Sequence, residues 1–194
     1  MRPAVFLDRD GVLIEDVNLL TKQEQILILP GVPEGLERLK QAGFELIVVS
    51  NQTVVARGLA TEENVRGINV CLQQLLVQAG GPSLDGWYFC PHHPSATLPA
   101  YRQACECRKP KPGLFLQAAQ ERDLDLQKSF AVGDRMTDII AGARVRCRTV
   151  LLQTGKHLEA LIETVEPMDT NTRPDYTCGD LRAATNWIVS VASQ

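Results

Sequence analysis

The sequence has no long hydrophobic run, no excess of basic residues and few cysteines for its length. No apolar run approaches the roughly 18 residues that a membrane-spanning helix needs. The formal net charge is −3 at pH 7, whereas proteins that bind nucleic acid or anionic membranes present a basic excess or a basic stripe. We therefore expect neither a nucleic-acid partner nor a membrane partner.

The cysteines are too few for a disulfide scaffold and too clustered to be incidental. The chain has 6 cysteines in 194 residues, and three of them lie within residues 90–107 beside a histidine. This grouping favours metal binding in a reducing compartment. The first seven residues lack the apolar stretch of a signal peptide, so we expect a cytoplasmic protein. We also expect it to be a monomer. Four residues have no ligand-type neighbours in sequence and are expected to be core or surface residues: Cys71, Cys147, Cys178 and His157.

Short apolar runs alternate with segments of helical spacing along the chain. This alternation predicts an α/β fold, a Rossmann-like three-layer sandwich with a central parallel sheet. The predicted strands are 4–7, 44–49, 87–89, 129–132 and 149–152, and the predicted helices are 33–43, 61–78, 112–122 and 136–143. A proline-rich stretch at about 90–110 interrupts the rhythm and is interpreted as an inserted loop in a single domain spanning 1–194. In 159–194 we expect only a closing helix around Trp187.

Polar side chains follow the predicted strands where each one ends. Asp8 and Asp10 follow the first strand, Ser50 and Asn51 the second, and Asp134 a later one. Ligands of open parallel sheets bind outside the carboxyl ends of the strands. One site can therefore gather all five residues.

The segment Asp8-Arg9-Asp10-Gly11 carries the first chemical signal. Two carboxylates two residues apart leave the strand on the same side. A carboxylate can attack phosphorus and form an acyl phosphate, and Mg²⁺ would hold the nucleophile and the phosphate together. Taken alone, the tetrapeptide is equally compatible with an ordinary turn.

Four segments together resemble, in order, the motifs of the haloacid dehalogenase (HAD) superfamily of phosphotransferases. They are Asp8 to Gly11, Ser50-Asn51, Lys109, and Gly133-Asp134 with Asp138. The resemblance implies a phosphatase fold with a minimal cap. It departs from the superfamily pattern at Val12 and Arg135.

The same resemblance implies the catalytic roles. Asp8 is the expected nucleophile, and Asp10 is the expected acid and then base. Ser50 and Lys109 would stabilise the transferring phosphoryl group. Mg²⁺ would be bound by Asp8, the backbone carbonyl of Asp10, and Asp134.

The segments Cys90-Pro91-His92-His93 and Cys105-Glu106-Cys107 form a second constellation. Two close pairs of such ligands suit a tetrahedral Zn²⁺ site. The expected ligands are Cys90, His92, Cys105 and Cys107. A site closed by four protein ligands is structural and orders the loop. The alternative is free thiols beside a surface histidine.

The zinc loop runs directly into Arg108-Lys109-Pro110. Within the superfamily this arrangement resembles two groups of phosphatases, one acting on heptose 1,7-bisphosphate and the other on histidinol phosphate. The long spacer and the His-His-Pro start favour the heptose group; the histidinol group and a non-catalytic zinc-stabilised binding module remain alternatives. The substrate would be a small sugar phosphate, and the resemblance implies contacts with it from Asp16, Asn18, Asn51, Gln52, Thr53, Arg108 and Arg135.

Overall fold

A single parallel sheet of six strands organises the chain, seen in a computed structural model that describes residues 1–156, 158 and 172–193. The strands lie in the order β3-β2-β1-β4-β5-β6, and every neighbouring pair is parallel. Their bounds are β1 Ala4–Leu7, β2 Glu45–Asn51, β3 Gly86–Cys90, β4 Phe130–Gly133, β5 Arg148–Leu152 and β6 Tyr176–Cys178.

Helices cover both faces of the sheet. They are α1 Val32–Gln41, α2 Thr53–Ala56, α3 Glu62–Gln78, α4 Gly113–Arg122, α5 Met136–Arg144 and α6 Leu181–Ala192. Successive side chains of a strand point to opposite faces, so Val5 and Leu7 pack in the core beneath α1, α3 and α6. Ala4 and Phe6 pack in the core beneath α4 and α5. The predicted three-layer α/β sandwich is confirmed.

Local sequence explains where the longer helices begin. Thr61 accepts a hydrogen bond from the backbone N–H of Asn64, and the Asn64 side chain accepts one from the backbone N–H of Thr61. This reciprocal pair satisfies two unpaired donors at the start of α3. Asp180 caps α6 in the same position by accepting from the N–H of Ala183.

The secondary structure differs from the predicted elements in three places. Ser50 and Asn51 are the last residues of β2 and do not follow the strand. β6 and the one-turn helix α2 were not predicted, because elements of three and four residues carry too little periodicity to detect. The expected closing helix around Trp187 is α6. His157 lies outside the described residues, as does the whole stretch from 159 to 171.

The strand order sets the position of the site. The chain moves outward from β1 through β2 to β3, then returns to β4 on the other side of β1 and continues to β6. The connections thus run toward one edge of the sheet before β4 and toward the other edge after it, although all strands are parallel. Such a switch point opens a crevice at the carboxyl ends of β1 and β4. Asp8 follows β1 and Asp134 follows β4, so both lie at the crevice.

Two long segments border the crevice, residues 8–31 between β1 and α1 and residues 91–112 between β3 and α4. Between β1 and α1, isolated bridges pair Ile14 with Asp10 and with Ile28. The loop after β3 contains one 3-10 turn, Pro99–Tyr101, and contacts α2 through a hydrogen bond from the Leu98 N–H to the Ala56 carbonyl. In the described part of the chain, no helix combines the length and apolarity needed to cross a bilayer.

The packing of α5 against the sheet yields a prediction about stability. A Cβ at Gly142 would lie 2.3 Å from Cβ of Ala131 in β4. Alanine normally favours a helix over glycine by about 1 kcal/mol, but this overlap cannot be relieved by rotating a side chain. We expect Gly142→Ala to destabilise the fold by about 2 kcal/mol and to lower the thermal midpoint by about 4–8 °C.

Gly179→Ala is the matched control, because a Cβ at Gly179 meets no atom within 4 Å. Its free energy of unfolding should change by less than about 0.5 kcal/mol. Differential scanning calorimetry measures both variants. Equal midpoints for the two would contradict the tight contact between α5 and β4.

Candidate functional site

Asp8 lies at the buried end of the sheet. β1 is fully buried and leads directly into Asp8, whose backbone N–H donates to the carbonyl of Val132 at 3.0 Å. This bond continues the pairing of β1 with β4 by one residue. Asp8 is only 9% exposed, and its Oδ1 accepts a hydrogen bond from the N–H of Arg9 at 2.7 Å. The carboxylate is thus held at the crevice by the sheet itself.

Three carboxylates meet at this point: those of Asp8, Asp134 and Asp138. One oxygen from each lies within 4.8 Å of the others, and all three residues are buried. Buried carboxylates at this separation repel one another unless a cation lies between them. The sequence predicted Asp8 and Asp134 as metal ligands and placed Asp138 in the same motif as Asp134, and the structure brings all three carboxylates together.

The chain packs closely around the carboxylate of Asp134 and leaves one of its oxygens able to bind a cation. A Cβ at Gly11 or Gly155 would lie 2.4 or 2.2 Å from its Oδ2, so these two glycines let the chain approach it closely. Oδ2 accepts the N–H of Lys156 at 2.7 Å. Oδ1 is buried and has no hydrogen-bond partner among the described residues. An oxygen in this state fits a hard divalent cation.

The charge balance of the site also favours a cation. Burial raises the pKa of Asp8 to about 8, with further increases from Asp138, Asp134 and Asp10, although Lys109 lowers it. Burial and the charge of Asp138 raise the pKa of Asp134 to about 7. A bound cation would favour the ionised form of both groups.

Lys109 is the buried cation of the site. Its Nζ lies 3.1 Å from Asp8 Oδ1 and 2.6 Å from Asp138 Oδ1, and it donates to the carbonyl of Val49 at 2.7 Å. Burial alone would lower the pKa of Lys109, but the charges of Asp138 and Asp8 outweigh it and raise the pKa. The ammonium group is therefore charged at neutral pH.

Asn51 fixes the backbone from which Lys109 projects. Its Nδ2 donates to the Lys109 carbonyl at 3.0 Å, and its Oδ1 accepts the Lys109 N–H at 3.1 Å. This paired contact joins the end of β2 to the loop that follows the cysteine cluster. It explains how Lys109, 58 positions after Asn51 in sequence, is held beside Asp8.

Asp10 belongs to a separate hydrogen-bonded group of side chains. Arg9 forms a salt bridge with Asp10, with Nη2 3.0 Å from Oδ2. Gln52 donates to Asp10 Oδ2 at 3.0 Å and to Ser50 Oγ at 3.2 Å. Gln52 is thus buried within the protein, and its expected contact with substrate stays a prediction.

The other expected substrate-binding residues fall into two groups. Asp16 Oδ2 accepts from Arg135 Nη2 at 3.1 Å and lies 3.8 Å from Lys156 Nζ, which also donates to Asn18 Oδ1. Arg108 donates to the His92 carbonyl at 3.3 Å, in the loop that carries the cysteine cluster. Thr53, half-buried, begins α2. Their roles toward a substrate stay predictions.

The four expected zinc ligands converge. Donor atoms of Cys90, His92, Cys105 and Cys107 lie within 4.8 Å of one another. The Sγ atoms are 3.1 to 3.4 Å apart, too far for a disulfide. Nδ1 is the nitrogen of His92 that faces the sulfurs, 3.4 Å from Cys107 Sγ. The hydrogen bond with Cys90 is the main cause that lowers the pKa of Cys107 to about 5. This donor set and arrangement fit tetrahedral Zn²⁺.

Sequence reasoning missed Arg9, Asn69 and Lys156. Asn69 carries a readable signal, because it is a polar residue in the apolar stripe formed by Val65 and Leu72 on α3. Arg9 lies between two carboxylates, and alternation along an extended chain points it away from them and into the protein. Lys156 has no comparable signal, since its contact with Asp134 uses the backbone.

Comparison with known proteins agrees with this geometry. A family model described as HAD-hydrolase-like matches residues 106–184. A D-glycero-beta-D-manno-heptose-1,7-bisphosphate 7-phosphatase from Photorhabdus laumondii is 37% identical over 174 residues, which cover 89% of this chain and 92% of the relative. A D-glycero-D-manno-heptose-1,7-bisphosphate 7-phosphatase from Thermosynechococcus vestitus is 38% identical over 190 residues, 96% of this chain and 95% of the relative.

A solved structure extends the likeness to three dimensions. The D,D-heptose 1,7-bisphosphate phosphatase from B. bronchiseptica, complexed with magnesium and phosphate, aligns with a TM-score of 0.80 and 31% identity. The alignment covers 97% of this chain and 99% of that one. The resemblance to the HAD superfamily is thereby confirmed, and the chain belongs to the family of HAD-like hydrolases that these heptose bisphosphate phosphatases represent.

Proposed function

We propose that this chain is a magnesium-dependent phosphatase that removes the 7-phosphate of D-glycero-D-manno-heptose 1,7-bisphosphate through a phosphoaspartate on Asp8. The observation that carries the proposal is the buried group of Asp8, Lys109, Asp134 and Asp138 at the carboxyl edge of the sheet. The substrate assignment is supported by the names of relatives that the chain matches over most of their length.

Mg²⁺ would be held by the carboxylates of Asp8 and Asp134 and by the backbone carbonyl of Asp10. When bound it supplies positive charge that offsets the repulsion between a phosphate and the carboxylates. The unpartnered Oδ1 of Asp134 supports this assignment. Asp138 would act mainly through Lys109, to which it is bound at 2.6 Å.

The residues of the chain divide the chemistry between them. Asp8 attacks phosphorus, while the charge of Lys109 and the hydroxyl of Ser50 stabilise the phosphoryl oxygens. Asp10 gives a proton to the departing sugar oxygen and later accepts one from the attacking water. Two easier displacements thereby replace one difficult one.

The zinc loop and the substrate contacts complete the proposal. Zn²⁺ bound by the four Cys/His ligands would order the loop that ends at Arg108 and Lys109. Arg108 and Arg135 are the proposed partners for the second phosphate, because guanidinium groups bind phosphate through paired hydrogen bonds. Asp16, Asn18, Asn51, Gln52 and Thr53 complete the proposed sugar site. We propose a single domain across residues 1–194, acting as a cytoplasmic monomer without nucleic-acid or membrane partners.

Phosphate release tests the function and the substrate together. With Mg²⁺ present, we expect faster release from heptose 1,7-bisphosphate than from histidinol phosphate, with both heptose anomers measured. Asp8→Asn should lower kcat by more than about 1,000-fold, because the amide cannot attack phosphorus. Asp123→Asn, at an exposed left-handed position, is the control and should match wild type. Preference for histidinol phosphate would reject the substrate, and an active Asp8→Asn would reject the mechanism.

Magnesium binding should be visible without substrate. At about 100 times its dissociation constant, a ligand stabilises the fold by about 2.7 kcal/mol, which raises the thermal midpoint by about 5–10 °C. We expect Mg²⁺ to produce this rise in the wild type and in Asp123→Asn but not in Asp134→Asn. Thermal unfolding in EDTA and in MgCl₂ measures it. An undiminished rise in Asp134→Asn would remove Asp134 from the ligands.

Zinc content tests the cysteine cluster. We expect one Zn²⁺ per chain by elemental analysis, lost in Cys105→Ser and retained in Cys71→Ser, whose thiol lies on α3 outside the cluster. Because Lys109 follows Cys107 by two residues, disorder of the loop should reduce kcat, by up to about 100-fold for a displacement near 1 Å. Full activity in zinc-free Cys105→Ser would show that catalysis does not depend on zinc in the loop.

A further inference from the structure

Arg9 is the largest fully buried side chain among the described residues, and the mechanism above gives it no role. Its side chain is 1% exposed, although it lies between Asp8 and Asp10. Burying a guanidinium group costs several kcal/mol unless it is paired and hydrogen-bonded. The partners of Arg9 therefore indicate what it is retained for.

The guanidinium group of Arg9 binds the carboxylate of Asp10 through two of its nitrogens. Nε donates to Oδ2 at 3.2 Å, and Nη2 lies 3.2 Å from Oδ1 and 3.0 Å from Oδ2. A planar fork of this kind fixes the orientation of a carboxylate as well as its charge.

Two amide side chains from different elements hold the guanidinium group in turn. Nη1 donates to Oδ1 of Asn69 on α3 at 3.1 Å, and Nη2 donates to Oε1 of Gln52 at 2.7 Å. Both amides are buried. α3 contributes no residue to the proposed chemistry, but through Asn69 it helps to fix the orientation of Asp10.

The two carboxylate oxygens of Asp10 accept different numbers of hydrogen bonds. Oδ2 accepts from Arg9 Nε, Arg9 Nη2 and Gln52 Nε2, whereas Oδ1 accepts one bond of 3.2 Å. The side chain of Asp10 is 23% exposed, in contrast to that of Arg9. Oδ1 therefore keeps the capacity to exchange a proton with a molecule in the crevice.

We propose that Arg9, held by Asn69 and Gln52, is a positioning residue that turns Oδ1 of Asp10 toward the reacting oxygens. This inference rests on the proposed phosphatase function. As the bond from Asp8 to phosphorus forms and the phosphorus bond to the sugar oxygen breaks, the sugar oxygen takes its proton from Asp10. When water then attacks phosphorus and the bond to Asp8 breaks, Asp10 takes the proton from the water.

The variant Arg9→Lys separates positioning from charge. Lysine keeps the positive charge but offers a single nitrogen in place of the fork. A substrate with a basic leaving oxygen, such as heptose 1,7-bisphosphate, needs the proton from Asp10. The leaving group of 4-nitrophenyl phosphate departs as a stable anion and needs none, so its transfer to Asp8 does not depend on the placement of Asp10.

Rapid-quench kinetics with both substrates measure the difference. For Arg9→Lys, we expect phosphoenzyme formation from the heptose substrate to slow about 100-fold with little change in KM. Phosphoenzyme formation from 4-nitrophenyl phosphate should stay within about 5-fold of wild type. Since the later water attack also needs Asp10, this substrate should show a burst of one 4-nitrophenolate per active site followed by slow turnover.

Two further variants keep the test decisive. Asn69→Ala should give the same pattern with a smaller change, and it carries the test if Arg9→Lys does not fold. Gln74→Ala, an exposed amide on the same helix, should match wild type.

Equal slowing of phosphoenzyme formation from both substrates, or slowing from neither, would overturn the role of Arg9. If the wild type does not hydrolyse the heptose substrate, the substrate assignment fails, and another alkyl phosphate that it does hydrolyse replaces it in the comparison.

Discussion

Lys109 places a positive charge between two buried carboxylates, with its Nζ 3.1 Å from Asp8 and 2.6 Å from Asp138. Removing one partner from such a buried group costs about 3–5 kcal/mol, because the remaining charges are left without compensation. The rest of the site depends on this arrangement. Asn51 and the cysteine cluster locate the backbone that carries Lys109, and the strand order brings Asp8 and the α5 carboxylate of Asp138 to the same crevice.

A single lysine does not balance the charge of the site. Asp134 adds a third buried carboxylate. Burial raises the pKa values of Asp8 and Asp134, and the negative charge of Asp138 raises both further. Gly11 and Gly155 nevertheless let the chain close tightly around Asp134. The fold thus keeps acidic groups where they destabilise the protein alone and where they would bind a divalent cation, whose charge would in turn attract a phosphate.

Several parts of the site were readable from sequence because they depend on local patterns. Apolar runs that end in Asp8 and Asp134 predicted the crevice, since parallel strands share one carboxyl edge. The spacing of Cys90, His92 and the later cysteine pair predicted the cluster. In each of these cases a few neighbouring residues determine the outcome.

Other parts were not readable because they depend on contacts between distant segments. β6 has three residues and is defined by pairing with β5. The fork of Arg9 on Asp10 is completed by Asn69, 60 positions further along the chain. Asp138 was recognised as part of the fourth motif, but its contact with Lys109 depends on α5 beginning beside β4. No periodicity or motif encodes such distances.

The most direct test of this account is where the phosphoryl group resides during turnover. The enzyme would be mixed with heptose 1,7-bisphosphate labelled in the 7-phosphate, quenched in acid, digested and analysed by mass spectrometry. The account predicts that the label appears on Asp8 in the N-terminal peptide and disappears as phosphate is released. Label on another residue, or release of phosphate with no labelled enzyme at any time, would contradict it.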